Sequence, residues 1–251
     1  MQQYKKLYAD PDYHNTFSNI QTCLRLNDWE EIDDGTHFLL FNMIGLFSFK
    51  QWSLSRSIDF MWEFLEKINI KPDYVTVHPN KLEEWKAHYA KYNIEIKLDE
   101  ECIWSDGEIK GYCTEFYKDD IEIGNIVNTL GRSIDIGFGL ERLLQVTNSL
   151  SPSTSLEIVE NSVLHLLNEG LKPSHNKSGY QIKKMLNYCV LNGSLIKEEH
   201  FIQSRKNLIK VYENYLKLKD KNKYSGKDGQ FWLDTFGIDL NQIEKYKILK
   251  E

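Results

Sequence analysis

The stretch Asp135-Ile136-Gly137-Phe138-Gly139-Leu140-Glu141-Arg142 decides how the rest of the chain is interpreted, because it joins a predicted strand to a predicted helix. Leu140, Leu143 and Leu144 follow helical spacing, which places Arg142 in the first turn of that helix. The glycines allow a tight turn or the close approach of a ligand to the backbone. We therefore expect a carboxylate and a guanidinium to face one cleft. Taken alone, however, the stretch favours an ordinary glycine-rich turn with a surface Arg–Asp pair.

The composition is that of a globular protein whose two halves differ in charge. The 251 residues, 41% hydrophobic and 27% charged, are enough to bury a core in one large or two modest domains. Residues 1–150 carry 15 basic and 25 acidic side chains, whereas residues 151–251 carry 16 and 12. No apolar run approaches the roughly 20 residues that span a bilayer, and the first residues lack a secretory signal pattern. We expect a cytoplasmic protein that does not enter a membrane.

The four cysteines, Cys23, Cys102, Cys113 and Cys189, are far apart in the sequence. None belongs to a CxxC pair or to a Cys/His pair at the spacing of metal ligands. A disulfide framework is not expected in the cytosol either. The sequence therefore predicts that they are small core residues, without a structural zinc site.

Residues 1–150 predict an α+β domain. Two extended apolar segments, 20–25 and 37–49, flank an acidic loop and indicate a long antiparallel hairpin. Helical spacing predicts two packing helices, one at 55–68 and one that begins at Asn80. Short β-rich segments that are close enough to pair antiparallel occur at 74–77, 94–98, 112–117 and 121–127. The prediction is a mostly antiparallel sheet flanked by helices.

Residues 151–251 predict an all-helical domain that begins after the linker and cap at 151–155. Helical patterns occur at 156–168, 179–191, 196–218 and 239–249. The positive charge of this half collects in Arg205, Lys206, Lys210, Lys217, Lys219, Lys221, Lys223 and Lys227, with Tyr212, Tyr215 and Tyr224 interleaved. Such a stretch can meet phosphate groups, although a solvated lysine-rich helix face is the commoner explanation.

Further segments stand before the opening stretch in a fixed order. They are Cys23–Asp28, Thr36–Phe49, Trp104 with Gly111–Glu115, and Glu122–Asn125. Together with Asp135–Arg142 they resemble the catalytic core of alanyl-tRNA synthetases, a class II aminoacyl-tRNA synthetase family. The second half is similar to that family's helical tRNA-recognition domain at Pro173-Ser174, Gly179-Tyr180 and Leu233–Leu240. The resemblance implies a class II synthetase-like sheet followed by a helical domain.

The resemblance also implies an ATP subsite. Arg25 would hold the α-phosphate and the amino-acid carboxylate, since a guanidinium clamps oxyanions bidentately. Arg142 and Phe41 would lie on opposite sides of the adenine ring. Asp28 would contact the nucleotide or order the loop, and His37 corresponds to a histidine of the motif 2 hairpin. Without the resemblance, these are ordinary surface, core and turn residues.

A second subsite would select the amino acid. The resemblance implies that Asp135 accepts hydrogen bonds from the α-ammonium group and that Asn125 contacts the carboxylate end. Trp104 and Gly137 would shape a methyl-sized cavity. The amino-acid carboxylate then attacks the α-phosphorus in line, while positive groups and Mg²⁺, whose ligands the sequence does not identify, stabilise the developing charge.

The sequence departs from the family in several places. The resemblance begins after motif 1, so the sheet edge is expected to be exposed or differently covered, and no segment resembles the editing domain or the C-terminal module. Asn42 stands in place of a glutamate and Gly124 in place of a tryptophan. The contacts that identify a tRNA are altered as well.

Three hypotheses follow from the resemblance and these departures. The first is an enzyme that activates alanine or a similarly small amino acid and passes it to tRNA, a carrier-protein thiol or a small-molecule amine. The second is a compact alanyl-tRNA synthetase that charges an unusual tRNA. The third is a noncatalytic binding or regulatory protein with a synthetase-like fold.

Overall fold

The structure, a computed structural model, describes residues 4–105, 107–129, 133–224 and 226–250. Contacts divide the chain into two compact units. The first unit comprises the chain up to Trp29 and Thr36–Pro152, and the second comprises Glu30–Gly35 and the chain from Ser153 onward. Within the described ranges, no helix combines the length and the apolar character that crossing a membrane requires.

The first unit is built on a mostly antiparallel sheet. Its strands are β1 (Asn15–Leu24), β2 (Leu40–Phe49), β3 (Tyr74–Val77), β4 (Glu95–Leu98), β5 (Ile103–Ser105), β6 (Lys110–Lys118), β7 (Ile121–Thr129) and β8 (Ser133–Gly139). The strand order is β1-β2-β8-β7-β6-β3-β4, and β5 pairs with β6. The β3–β4 pair is parallel and the other pairs are antiparallel. The mostly antiparallel sheet that the sequence predicted is confirmed.

One face of this sheet is covered by helices. The helices of the first unit are α1 (Lys5–Ala9), α2 (Leu54–Lys67), α3 (Leu82–Tyr89) and α4 (Leu140–Val146). Ser53 caps α2, because its side chain accepts a hydrogen bond from the Arg56 backbone N–H. Ile58, Met61 and Leu65 recur at helical spacing on α2 and are at most 1% exposed. They pack with buried residues of α3, α4 and the sheet into one core. The short helix α1 lies on the opposite face, where Tyr8 packs against Phe49. The rest of that opposite face is left for a site.

A β-bulge in β7 reorients the side chains of that strand. Phe116 pairs with Gly124, but the next residue of β6, Tyr117, pairs with Glu122, so Ile123 is an extra residue. On a regular strand, residues three apart point to opposite faces. The bulge instead places the side chains of Glu122 and Asn125 on the same face, where they come within 3.4 Å of each other.

The second unit is helical. It contains α5 (Ser155–Asn168), α6 (Lys177–Leu191), α7 (Glu199–Leu218), α8 (Gly229–Phe236) and α9 (Ile243–Lys250). Thr154 and Glu157 form a reciprocal capping box at the start of α5. The sequence patterns did not predict α8, which Asp228 caps through the Phe231 backbone N–H. Trp232 of α8 is 3% exposed, because it packs against neighbouring aromatic rings of the unit.

The tyrosines of the basic stretch belong to this helical core. Tyr212 is 7% exposed, the Tyr215 ring lies 4.9 Å from the Trp232 ring, and Tyr224 packs against Phe236. The basic side chains interleaved with them are all exposed. The stretch therefore presents positive charge to solvent, while its aromatic rings stabilise the fold.

Candidate functional site

The junction that the sequence predicted is present between β8 and α4. Gly139 is the last residue of β8 and the N-cap of α4, so Arg142 lies in the first turn of the helix. Gly139 has φ −78°, and Gly137 is not among the glycines with positive φ. Neither glycine is required for a left-handed turn. Because these glycines have no side chain, they leave space above the sheet.

A cavity of about 240 Å³ lies beside this junction. Arg25, Asp28, Phe41 and Arg142, predicted for the ATP subsite, all line it. The acidic side chains at its wall, besides Asp28, are Glu115, Glu122 and Glu141. His37 is half-buried in the loop before β2 and is not among the lining residues. The ATP role of His37 therefore stays a prediction from the resemblance.

Arg142 is held firmly at the wall of the first cavity. Its Nη1 donates to the Glu122 carboxylate at 2.7 Å and to the Glu122 backbone carbonyl at 3.2 Å, while Nε donates to the Thr36 carbonyl at 3.1 Å. The Arg142 side chain is only 18% exposed and that of Glu122 only 29%. This partly buried ion pair fixes the guanidinium plane before any ligand arrives.

Arg25 is placed differently, because its guanidinium is half exposed. The backbone N–H of Arg25 donates to the Leu39 carbonyl at 2.8 Å, which closes the base of the loop between β1 and β2. Its Nη1 lies 3.5 Å from the Asp28 carboxylate, and its Cζ lies 5.2 Å from the centre of the Phe41 ring. The Arg25 side chain is 52% exposed, so it can reorient toward a bound anion.

A second cavity, of about 470 Å³, adjoins the first. Arg25, Trp104, Asn125 and Gly137 line both cavities, and Asp135 lines the second. The structure thus brings together all four residues predicted for the amino-acid subsite, with Trp104, Asn125 and Gly137 in the shared wall. Cys23 also lines the second cavity and is only half-buried, so its prediction as a core residue was wrong.

Asp135 lies between two large apolar side chains of the neighbouring strands in this second cavity. Its partners on the adjacent strands are Phe47, which is 1% exposed, and Val127, which is 4% exposed. Burial raises the pKa of the Asp135 carboxyl to about 6. Burial therefore disfavours the charged form of this carboxyl group.

Strand register creates the space in the second cavity. Gly45 of β2 pairs with Gly137 of β8, and Gly137 in turn pairs with Asn125 of β7. A Cβ atom added to Gly137 would lie 3.2 Å from the Met43 sulfur and 3.3 Å from the Asn125 Oδ1 atom. A methyl group here would crowd the site, so the paired glycines keep the second cavity open above the sheet.

Glu122 is a site residue that was not predicted from the sequence. Its carboxylate accepts hydrogen bonds from Arg142 at 2.7 Å and from the Asn125 amide at 3.4 Å. Glu122 therefore links the two cavities, one through Arg142 and the other through Asn125. Glu122 could not be predicted as a site residue because the bulge at Ile123 cannot be inferred from strand alternation.

The fold and the site together define a class II synthetase-like protein. The family model for "tRNA synthetases class II (A)" matches residues 1–126, about half of the chain. The chain belongs to this family.

Curated relatives point to one branch of the family. The chain is 28% identical to an alanine–tRNA ligase of Buchnera aphidicola subsp. Baizongia pistaciae and 24% identical to one of Tropheryma whipplei. These matches cover 81% and 76% of this chain but 29% of each relative. A solved apo histidyl-tRNA synthetase of S. aureus is 11% identical with a TM-score of 0.41, over 75% of this chain and 66% of that one.

Proposed function

We propose that this chain activates alanine or a similarly small amino acid with ATP, forming an aminoacyl-adenylate that is then transferred to tRNA. The observation that carries the proposal is the shared wall between the two cavities. It sets an arginine-lined polar cavity directly against a cavity that holds the half-buried carboxylate of Asp135. Two substrates bound in this way would present their reacting groups to each other at Arg25 and Asn125.

The chemistry follows from that placement. An oxygen of the amino-acid carboxylate attacks the α-phosphorus of ATP, and the bond to pyrophosphate breaks. Asp135 would hold the α-ammonium, which orients the carboxylate toward Asn125 in the shared wall. Arg25, half exposed and free to rotate toward the α-phosphate, would stabilise the charge that develops there. No side-chain nucleophile is needed.

Mg²⁺ fits two residues that line the first cavity. The Glu122 carboxylate and the Asn125 side chain offer hard oxygen ligands that lie on one face because of the β7 bulge. Together with the ATP phosphates, these residues would hold the ion, which supplies charge neutralisation when bound. Glu122 would then serve both the ion and Arg142 with its two carboxylate oxygens.

The proposed acceptor, tRNA, is supported by the relatives and by the second unit. The relatives are alanine–tRNA ligases, which favours tRNA over a carrier-protein thiol or a small-molecule amine. The exposed basic side chains from Arg205 to Lys227 suit contacts to phosphate groups. Because the interleaved tyrosines are packed inside the unit, we expect charge contacts rather than stacking on bases. A cytoplasmic location is part of this proposal.

Amino-acid-dependent exchange of pyrophosphate into ATP tests the activation step. We expect exchange with alanine, assayed beside every other amino acid. The absence of exchange with all of them would reject the enzyme in favour of the noncatalytic hypothesis. Where exchange occurs, charging of total tRNA tests the acceptor, since transfer yields an RNA ester that is labile to base. Exchange without RNA ester would reject tRNA and redirect the search to other acceptors.

A further inference from the structure

Cys102 and Cys113 lie side by side in the sheet, although they are far apart in sequence. The Cys113 backbone N–H donates to the Cys102 carbonyl at 3.0 Å, which extends the antiparallel pairing of β5 and β6 by one residue. Cys102 is 0% and Cys113 is 4% exposed. The prediction that both are buried is therefore confirmed. Their immediate neighbours, however, include polar groups that a plain apolar core would not contain.

Glu115 completes a cluster of three potential ligands. It follows Cys113 by two residues on β6, so both side chains point to the same face. The two sulfur atoms and a Glu115 carboxylate oxygen all lie within 4.8 Å of one another. In a tetrahedral zinc site, with bonds of about 2.3 Å to sulfur and about 2.1 Å to oxygen, ligand atoms are about 3.7 Å apart. Side-chain rotations that move the ligand atoms by about 1 Å would produce this geometry.

Hydrogen bonds from neighbouring side chains orient these ligands. The Tyr117 hydroxyl donates to Glu115 Oε2 at 2.8 Å, and the Cys102 thiol donates to the Thr76 hydroxyl at 3.1 Å. Thr76 pairs with Glu115 across β3 and β6, and its hydroxyl lies 3.4 Å from the same carboxylate oxygen. Metal binding would release the thiol proton of Cys102, and the Thr76 and Tyr117 hydroxyls would then be the donors that hold the thiolate and the carboxylate, as outer hydrogen bonds do in metal sites.

We propose that Cys102, Cys113 and Glu115 bind a divalent metal ion of the zinc class, with solvent in the fourth position. Two thiolates and one carboxylate suit Zn²⁺, whereas Mg²⁺ prefers oxygen ligands alone. Glu115 also lines the first cavity, which provides an entry path for the ion. The ligands of this site differ from those proposed for Mg²⁺, although Glu115 pairs with Asn125 across β6 and β7. The inference does not depend on the proposed function.

The metal would strengthen one wall of both cavities. Trp104 follows Cys102 by two residues and packs against the cluster formed by Cys102, Cys113 and Val127. A metal held by residues on both sides of the β5–β6 pair would restrict the strand that carries Trp104. Binding should also stabilise the fold by mass action, since the unfolded chain does not preform the site.

Titration of the reduced, metal-free full chain with Co²⁺ tests the proposal. Co²⁺ substitutes for Zn²⁺, and it gives a thiolate-to-metal charge-transfer band with strong visible absorption when its site is tetrahedral. We expect these bands to saturate at one ion per chain and to disappear when Zn²⁺ is added. A wild-type chain without the bands would overturn the proposal. A Cys102–Cys113 disulfide found by mass spectrometry in the protein before reduction would also overturn it.

Variants assign the ligands. Cys102→Ser and Cys113→Ser should each abolish the charge-transfer band, and Glu115→Gln should weaken Co²⁺ binding by at least about tenfold. Cys189→Ser is the matched control, because Cys189 is also 0% exposed but lies in the second unit, and it should bind like the wild type. Retention of the band in both Cys102→Ser and Cys113→Ser, with circular dichroism confirming the fold, would contradict the ligand assignment.

Discussion

The two cavities on the sheet share a wall but differ in what surrounds their charged side chains. In the first cavity, charged groups have polar protein partners: Arg142 pairs with Glu122 at 2.7 Å, and the Glu141 carboxylate accepts hydrogen bonds from the Asn42 backbone and side chain. In the second cavity, Asp135 is flanked by Phe47 and Val127, and burial raises its pKa to about 6.

This difference teaches how each cavity prepares for its ligand. Matched charges fix side-chain orientations in advance, which suits a ligand such as a metal-bound nucleotide that brings both signs of charge. A carboxylate whose charged form is disfavoured by burial is stabilised by a further cation bound beside it. The second cavity should therefore discriminate by the presence of an ammonium group and by size, whereas the first should discriminate by geometry.

The largest expected effect comes from breaking the charge matching of the first cavity. Arg142→Ala removes the guanidinium and leaves Glu122 partly buried without its partner. We expect kcat/KM for pyrophosphate exchange to fall by about 10² to 10³-fold. Arg56→Ala is the matched control, because Arg56 is also paired with a glutamate, Glu63 at 3.1 Å, but lies on α2. Similar losses in both variants would show that Arg142 has no specific role in the site.

The next largest effect concerns the affinity of the second cavity. Asp135→Asn keeps the shape of the side chain but removes its negative charge, so KM for the amino acid should rise by about 10 to 100-fold while KM for ATP changes little. In the wild type, kcat/KM for the amino acid should fall as the pH decreases through about 6, because the carboxyl becomes protonated. The variant should lack this decrease. An unchanged pH profile would contradict the ammonium role.

The same substitution should stabilise the unliganded protein. The pKa of Asp135 is raised from 3.8 to about 6, so the folded state binds this proton more tightly and loses stability as the pH rises through that window. Asp135→Asn removes this penalty, and its free energy of unfolding at neutral pH should exceed that of the wild type by about 1 to 3 kcal/mol. Urea unfolding at neutral pH and near pH 4 measures it. An equal gain at both pH values would show that packing, not charge, is responsible.

The smallest expected effect narrows the second cavity without changing its charge. Gly137→Ala places a methyl group 3.2 Å from the Met43 sulfur, a flexible side chain that can give way. We expect KM for alanine to rise by about tenfold, with a smaller change for glycine as the amino acid. Gly229→Ala, where an added Cβ meets nothing within 4 Å, serves as the control. Equal effects on alanine and glycine would argue against a size limit at Gly137.

Local patterns predicted most elements because their cause is local. The segment 74–77 was predicted as a strand and is one, Tyr74–Val77, and the predicted helix at 156–168 corresponds to Ser155–Asn168. The periodicity of buried side chains and the capping residue are both properties of the sequence of such a segment. The short strand Ile103–Ser105 was missed, because three residues are too few to show alternation and only pairing with β6 makes them a strand.

The sequence by itself determined the series of motifs, the strand-to-helix junction at Gly139 and the residues Arg25, Asp135 and Arg142, because residue chemistry and short-range spacing are properties of the chain. Tertiary structure alone decided which side chains became neighbours. It placed Glu122 on the face of Asn125 through the bulge at Ile123, and it brought Cys102 next to Cys113. These contacts depend on the register of strands that pair across the sheet, and register is set by the packing of the whole fold.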